Sequence, residues 1–175
     1  AIAAPGSLKA WCEMLERYGT LSLADVMEPA IRHASRGFIV TPYLSECIDE
    51  ASSGLVLDPV ISSVYLDDGK PLPAGTRLAT PEYADTLRAI SVEGPSALYG
   101  GAVGEVVAAH LAKAGGLLTM TDFTEYETIE REVVRGTYRD VEIVGPPPPS
   151  SGGVHVIQML NLLEGFDIPS MGFGL

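Results

Sequence analysis

The sequence predicts an α+β fold that is mostly helical, with a β-hairpin near residues 128–145. Three observations carry that expectation. Apolar residues recur at three- and four-residue spacing in one segment after another, each bracketed by helix start and stop signals. One late stretch switches to period two, with Val141 and Ile143 flanking Glu142 just after the turn residues Tyr138-Arg139-Asp140. The 175 residues are 46% hydrophobic and 19% charged, which supplies a core and argues against disorder.

Leu8, Trp11, Cys12 and Leu15 follow i, i+3, i+4, i+7 spacing between Pro5 and Gly19, which predicts a helix over 6–18 with those four side chains in a core. Ser22 is placed to cap the next helix, striped by Leu23, Val26, Met27, Ala30 and Ile31 and stopped at Gly37; Pro29 within it predicts a kink or a break. Thr41-Pro42 restarts a helix that carries Leu44 and Ile48 and runs out at Ser52-Ser53-Gly54. Residues 55–79 change character, with Pro59, Pro71 and Pro73 and a β-rich run Ser63-Val64-Tyr65-Leu66 before the turn Asp67-Asp68-Gly69-Lys70; a short surface strand or hairpin is expected. Thr80-Pro81-Glu82 is a helix start, with Tyr83, Leu87 and Ile90 as its buried face up to Glu93-Gly94-Pro95. Val103, Val106, Val107, His110, Leu111 and Ala114 share one face of another helix, ended by Gly115-Gly116. Thr121-Asp122-Phe123 opens one helical turn, and the hairpin follows. After Pro146–Pro149, a last helix with Val154, Ile157, Met159, Leu160, Leu162 and Leu163 leaves only His155, Gln158 and Asn161 polar and is expected to be buried on most sides.

Eleven basic residues stand against 23 acidic ones, a formal net charge of -12, and no Lys or Arg cluster interrupts that balance. A phosphate-backbone partner such as DNA or RNA is therefore not expected, nor is a membrane span in this chain. Cys12 and Cys47 make no disulfide framework and fit no zinc motif, and Cys12 reads as a small core residue. The opening Ala1–Gly6 stretch reads as the middle of a chain, without an initiator Met, and Phe173-Gly174-Leu175 carries no stop signal.

Common catalytic signatures are absent: there is no GxSxG, SxxK, HExxH, phosphate loop or complete GxGxxG. His33 reads as a surface residue and His110 as a hydrogen-bonded core histidine rather than a metal ligand. The segment from Gly145 to Asn161 stands out. Four prolines fix the exit from a strand, and Ser150, Ser151, Gly152 and Gly153 then bring two hydroxyls and bare backbone N–H groups to a helix start. Such a start can seat an anion or carboxylate. It can equally be a capped, tightly packed helix start whose glycines serve close backbone approach, and composition favours that reading. The stripe His155, Gln158, Asn161 reads preferentially as a hydrogen-bonded internal seam, with a substrate cavity or subunit face as the other possibility.

The run Pro146–Asn161, with Leu162-Leu163-Glu164 behind it, closely resembles the γ-glutamyltransferase (γ-glutamyltranspeptidase) family. The resemblance continues in order through Ala4-Pro5-Gly6-Ser7, Tyr18-Gly19-Thr20-Leu21, Pro29-Ala30-Ile31 with Gly37-Phe38, Asp68–Leu72, Ala84–Leu87, Gly115–Thr119 and Arg135–Arg139, nearly the whole chain. Asp140 departs from it, standing where the family often has a turn glycine; aspartate tolerates turn geometry.

The resemblance implies part of an N-terminal-nucleophile hydrolase, an αββα sandwich. Residues 1–175 would be a single fragment of its large-subunit domain, with a helical region at 1–126 and a strand-hairpin and buried helix at 127–175. It implies a precursor that cleaves itself, and a small catalytic subunit whose N-terminal threonine attacks the γ-glutamyl amide of glutathione-like substrates. It implies no metal and no organic cofactor, and the family alone suggests a periplasmic or extracellular setting. No catalytic residue of the family carries over to this chain: Thr119-Met120-Thr121 is no substitute for the threonine-led processing motif, and Gly152-Gly153 is not the oxyanion pair. Within the same family a cephalosporin or glutaryl acylase is the alternative. From another class, a non-catalytic binding module that kept the fold is the rival.

Overall fold

A computed structural model describes residues 2–174. The chain divides into two compact units, Ala1–Thr128 and Ile129–Leu175.

The first unit is helical, and several of its helices begin where a side chain satisfies free N–H groups of the first turn. Helix α1 spans Ser7–Tyr18 and α2 spans Leu23–Arg36. Ser22 and Asp25 form a reciprocal capping box: the Ser22 hydroxyl accepts the Asp25 N–H at 3.2 Å and the Asp25 carboxylate accepts the Ser22 N–H at 3.3 Å. Losing such a cap costs about 1 kcal/mol. Pro29 lies inside α2, yet the helix is not broken there. Helix α3 spans Pro42–Leu55, with Pro42 in its first turn and the Thr41 hydroxyl accepting the Leu44 N–H at 3.1 Å.

Residues 59–65 correct the expectation of a strand. Pro59–Tyr65 form helix α4, because Asp58 accepts the Val60 and Ile61 N–H groups at 2.8 and 3.0 Å and Pro59 is pre-set for a first turn. The local cap overrides the β preference of Val64 and Tyr65. The hairpin itself is present but shorter: β2 (Leu66–Asp67) pairs antiparallel with β3 (Lys70–Pro71) across Asp68 and Gly69, both at positive φ. Another antiparallel pair joins β1 (Phe38–Ile39) to β4 (Arg77–Leu78) beside the buried Val40.

Helix α5 (Pro81–Glu93) lies on α2, and Ala34, Ala84 and Leu87 form the seam, flanked by Met27 and Ile31. Thr80 does not cap α5 through its side chain; its N–H instead bonds the Ala34 carbonyl at 2.8 Å, tying the start of α5 to the end of α2. Ala84, Leu87 and Ile90 are buried, whereas Tyr83, expected with them, is exposed because the inward stripe passes through Ala84. After a 3-10 turn at Gly94–Ala97 come α6 (Ala102–Lys113) and α7 (Met120–Thr124). In α6 the buried positions are Gly104 and Ala108, so the buried face is rotated from the expected one: His110 and Val106 are exposed, and His110 is not a core histidine. Helix α7 starts with a second capping box, in which the Thr119 amide and hydroxyl hold the Asp122 carboxyl below its ordinary range. Phe123 behind it is fully buried.

The second unit is a hairpin with a helix lying on it. Strands β5 (Val134–Tyr138) and β6 (Val141–Gly145) pair from Val134↔Gly145 to Tyr138↔Val141. Arg139 and Asp140 both take positive φ in the two-residue turn between them, as a type I′ hairpin requires. Helix α8 spans Gly152–Glu164 and a 3-10 turn follows at Ile168–Met171. The expected burial of α8 on most sides is not met within this chain. Its only buried residue is Gly153, while Val154, Val156, Met159, Leu162 and Leu163 are exposed, since the hairpin covers one side alone.

Candidate functional site

The singled-out segment forms the start of α8, reached from the end of β6 through Pro146–Pro149. The Ser150 N–H bonds the Pro147 carbonyl at 3.1 Å, and the His155 N–H bonds the Ser151 carbonyl at 2.9 Å, closing the first helical turn. Ser151 occupies the cap position but its hydroxyl caps nothing; the Ser150 hydroxyl accepts the Gly152 N–H at a long 3.4 Å. The expected serine cap is thus weak and comes from Ser150.

The two glycines differ in what surrounds them. A Cβ added to Gly153 would stand 2.3 Å from the Pro146 carbonyl oxygen and 2.9 Å from the Gly145 carbonyl carbon, so only glycine lets the helix backbone meet the strand end. A Cβ on Gly145 would likewise stand 2.6 Å from Gly153 Cα. Gly152 faces open space, with nothing nearer than the Ser150 hydroxyl at 3.6 Å. Gly153 therefore serves close packing, while Ser150, Ser151 and Gly152 remain exposed at the positive end of the helix dipole. A helix start of this kind carries hydrogen-bond donors of the sort an anion accepts. It offers no nucleophile activated by a base.

His155, Gln158 and Asn161 are all exposed on α8, so the expected internal seam is absent from this chain; the hairpin leaves their side of the helix uncovered. His33 is exposed on α2 and His110 on α6. Cys12 is half-buried, and burial pushes its thiol pKa up, away from the thiolate that a nucleophile needs. Cys47 shares a hydrogen bond with Tyr43, which raises the pKa of that phenol. Among the described residues no cluster of three or more His, Cys, Asp or Glu side chains could hold a metal ion, and no helix is long and apolar enough to cross a membrane.

One feature of the first unit was not anticipated. Helices α1, α2 and α5 enclose an apolar groove of about 510 Å³, lined by Trp11, Cys12, Leu15, Val26, Met27 and Ile90 among others. The α1 stripe expected in a closed core faces this groove instead. Leu8, Cys12 and Leu15 are half-buried there, and Trp11 is 63% exposed, so the expected burial of Trp11 is not met within this chain. Spacing identified the apolar side of α1 correctly but carries no information on whether anything covers it.

The family model described as gamma-glutamyltranspeptidase matches residues 1–174. An Acylase ACY 1 proenzyme of Pseudomonas sp. (strain SE83) is 53% identical over 174 residues, 99% of this chain and 31% of that protein. The Glutathione hydrolase proenzyme of Escherichia coli (strain K12) is 36% identical over 175 residues, 99% of this chain and 30% of that protein. The solved gamma-glutamyltranspeptidase of Helicobacter pylori superposes with a TM-score of 0.93 at 31% identity, over 98% of this chain and 50% of that one. The chain thus spans about 31% of the length of the first of these relatives. Its small antiparallel strand pairs and many helices are part of the α+β N-terminal-nucleophile hydrolase fold of these enzymes. Matched by the family model over all but its last residue, the chain belongs to the gamma-glutamyltranspeptidase family.

Proposed function

We propose that this chain is part of the large subunit of a self-processing enzyme that hydrolyses or transfers γ-glutamyl groups from glutathione-like amides. The observation that carries this reading is the family match along residues 1–174. In it the chain is a scaffold and holds no catalytic residue. The nucleophile is the N-terminal threonine of a small catalytic subunit cut from the same precursor. Its hydroxyl attacks the γ-glutamyl carbonyl carbon, its own α-amine takes the hydroxyl proton, and the amine of the donor leaves. The acyl-enzyme then passes its γ-glutamyl group to water or to the amine of an amino acid or peptide. No metal or organic cofactor takes part. The two units belong to one large-subunit domain, and the uncovered apolar face of α8 packs on the small subunit.

The greater identity to the Pseudomonas acylase, 53% against 36% for the glutathione hydrolase, favours a second reading in which the donor is a glutaryl or cephalosporin amide. A non-catalytic module is the third. One experiment separates them: residues 1–175 are assayed with a γ-glutamyl anilide and with a glutaryl amide, alone and co-expressed with the downstream part of the parent sequence. Turnover should appear only on co-expression and vanish when the downstream threonine is changed to alanine; the preferred donor then chooses between the first two readings. A parent protein that stays one chain by intact mass and turns over neither substrate supports the module. Activity of residues 1–175 alone, abolished by changing one of their own side chains, overturns the scaffold.

Ser150, Ser151, Gly152 and Gly153 enter this proposal as a substrate-facing helix start, with the exposed N–H groups seating a donor carboxylate. Ser151→Ala in the complete enzyme should then raise KM while leaving self-cleavage unchanged. Unaltered kinetics would reduce the segment to its packing role.

A further inference from the structure

We draw no further inference here: the strongest candidate, the apolar groove between α1, α2 and α5 with Trp11 exposed on its rim, carries nothing because nothing in the structure shows what covers it.

Discussion

Helices α5 and α8 have the same length, 13 residues, and opposite fates. Helix α5 carries Glu82, Asp85, Arg88 and Glu93 on its outer side, yet it buries Ala84, Leu87 and Ile90. Helix α8 has no charged residue before Glu164 and is aliphatic around most of its circumference, yet it buries only Gly153. Burial therefore follows the supply of partners, not the hydrophobicity of the helix. A one-sided stripe needs one partner, and α2 supplies it. A helix that is apolar on several sides needs several partners, and the hairpin of this chain is one.

That contrast is most sharply tested where it predicts the largest loss. Leu87→Ala should destabilise the first unit by about 2–5 kcal/mol, because the seam with α2 cannot collapse fully around the deleted methyls. Urea denaturation measures it, and a loss below about 1 kcal/mol would mean that α5 is held by something other than this seam. The next effect lies at the start of α8. Gly153→Ala forces a Cβ against the Gly145 and Pro146 backbone and should cost about 1–3 kcal/mol. Gly152→Ala, in open space, should be neutral or stabilise by up to about 1 kcal/mol, because alanine loses less backbone entropy on folding. Equal losses at the two glycines would break the packing account. Smallest of all, Leu162→Gln on the outer side of α8 should change the stability of this chain by no more than about 0.5 kcal/mol. A loss several times larger would show that this side of α8 is already covered.

Local chemistry was legible in the sequence wherever a side chain acts on its own backbone. Ser22 and Thr41-Pro42 mark helix starts that the structure contains, and the hairpin centred on Arg139-Asp140 follows from turn residues and period two; the turn expected from Thr121 starts one residue earlier, at Met120, with Thr119 as its cap. Helix α4 runs against the sequence reading although its Asp58-Pro59 start is of the same kind, because the β-rich run Ser63–Leu66 points to a strand and the cap prevails over it. Exposure was the part that could not be read. For Trp11, His110 and the α8 stripe periodicity points to an inside, yet periodicity reports direction around a helix without reporting what stands there. The candidate site was legible as a helix start. Its division of labour, with Gly153 packed and Gly152 free, depends on the Gly145 and Pro146 backbone, which lies across the Pro146–Pro149 exit and emerges only once the chain is folded.

The seating of α8 has a consequence for anything that meets it. Its first turn rests backbone against backbone at Gly145 and Gly153, Ile157 lies over Gly136, where a Cβ would stand 2.5 Å from its methyl, and the Glu164 carboxylate accepts the Arg139 N–H of the hairpin turn at 2.7 Å. These contacts, at both ends and in the middle, oppose a roll of the helix about its axis. The exposed Met159 and Leu162 are therefore displayed at set bearings before any encounter. A surface docking there finds its counterpart already ordered, and less rotational freedom of the helix is lost on association than a loosely held helix would lose.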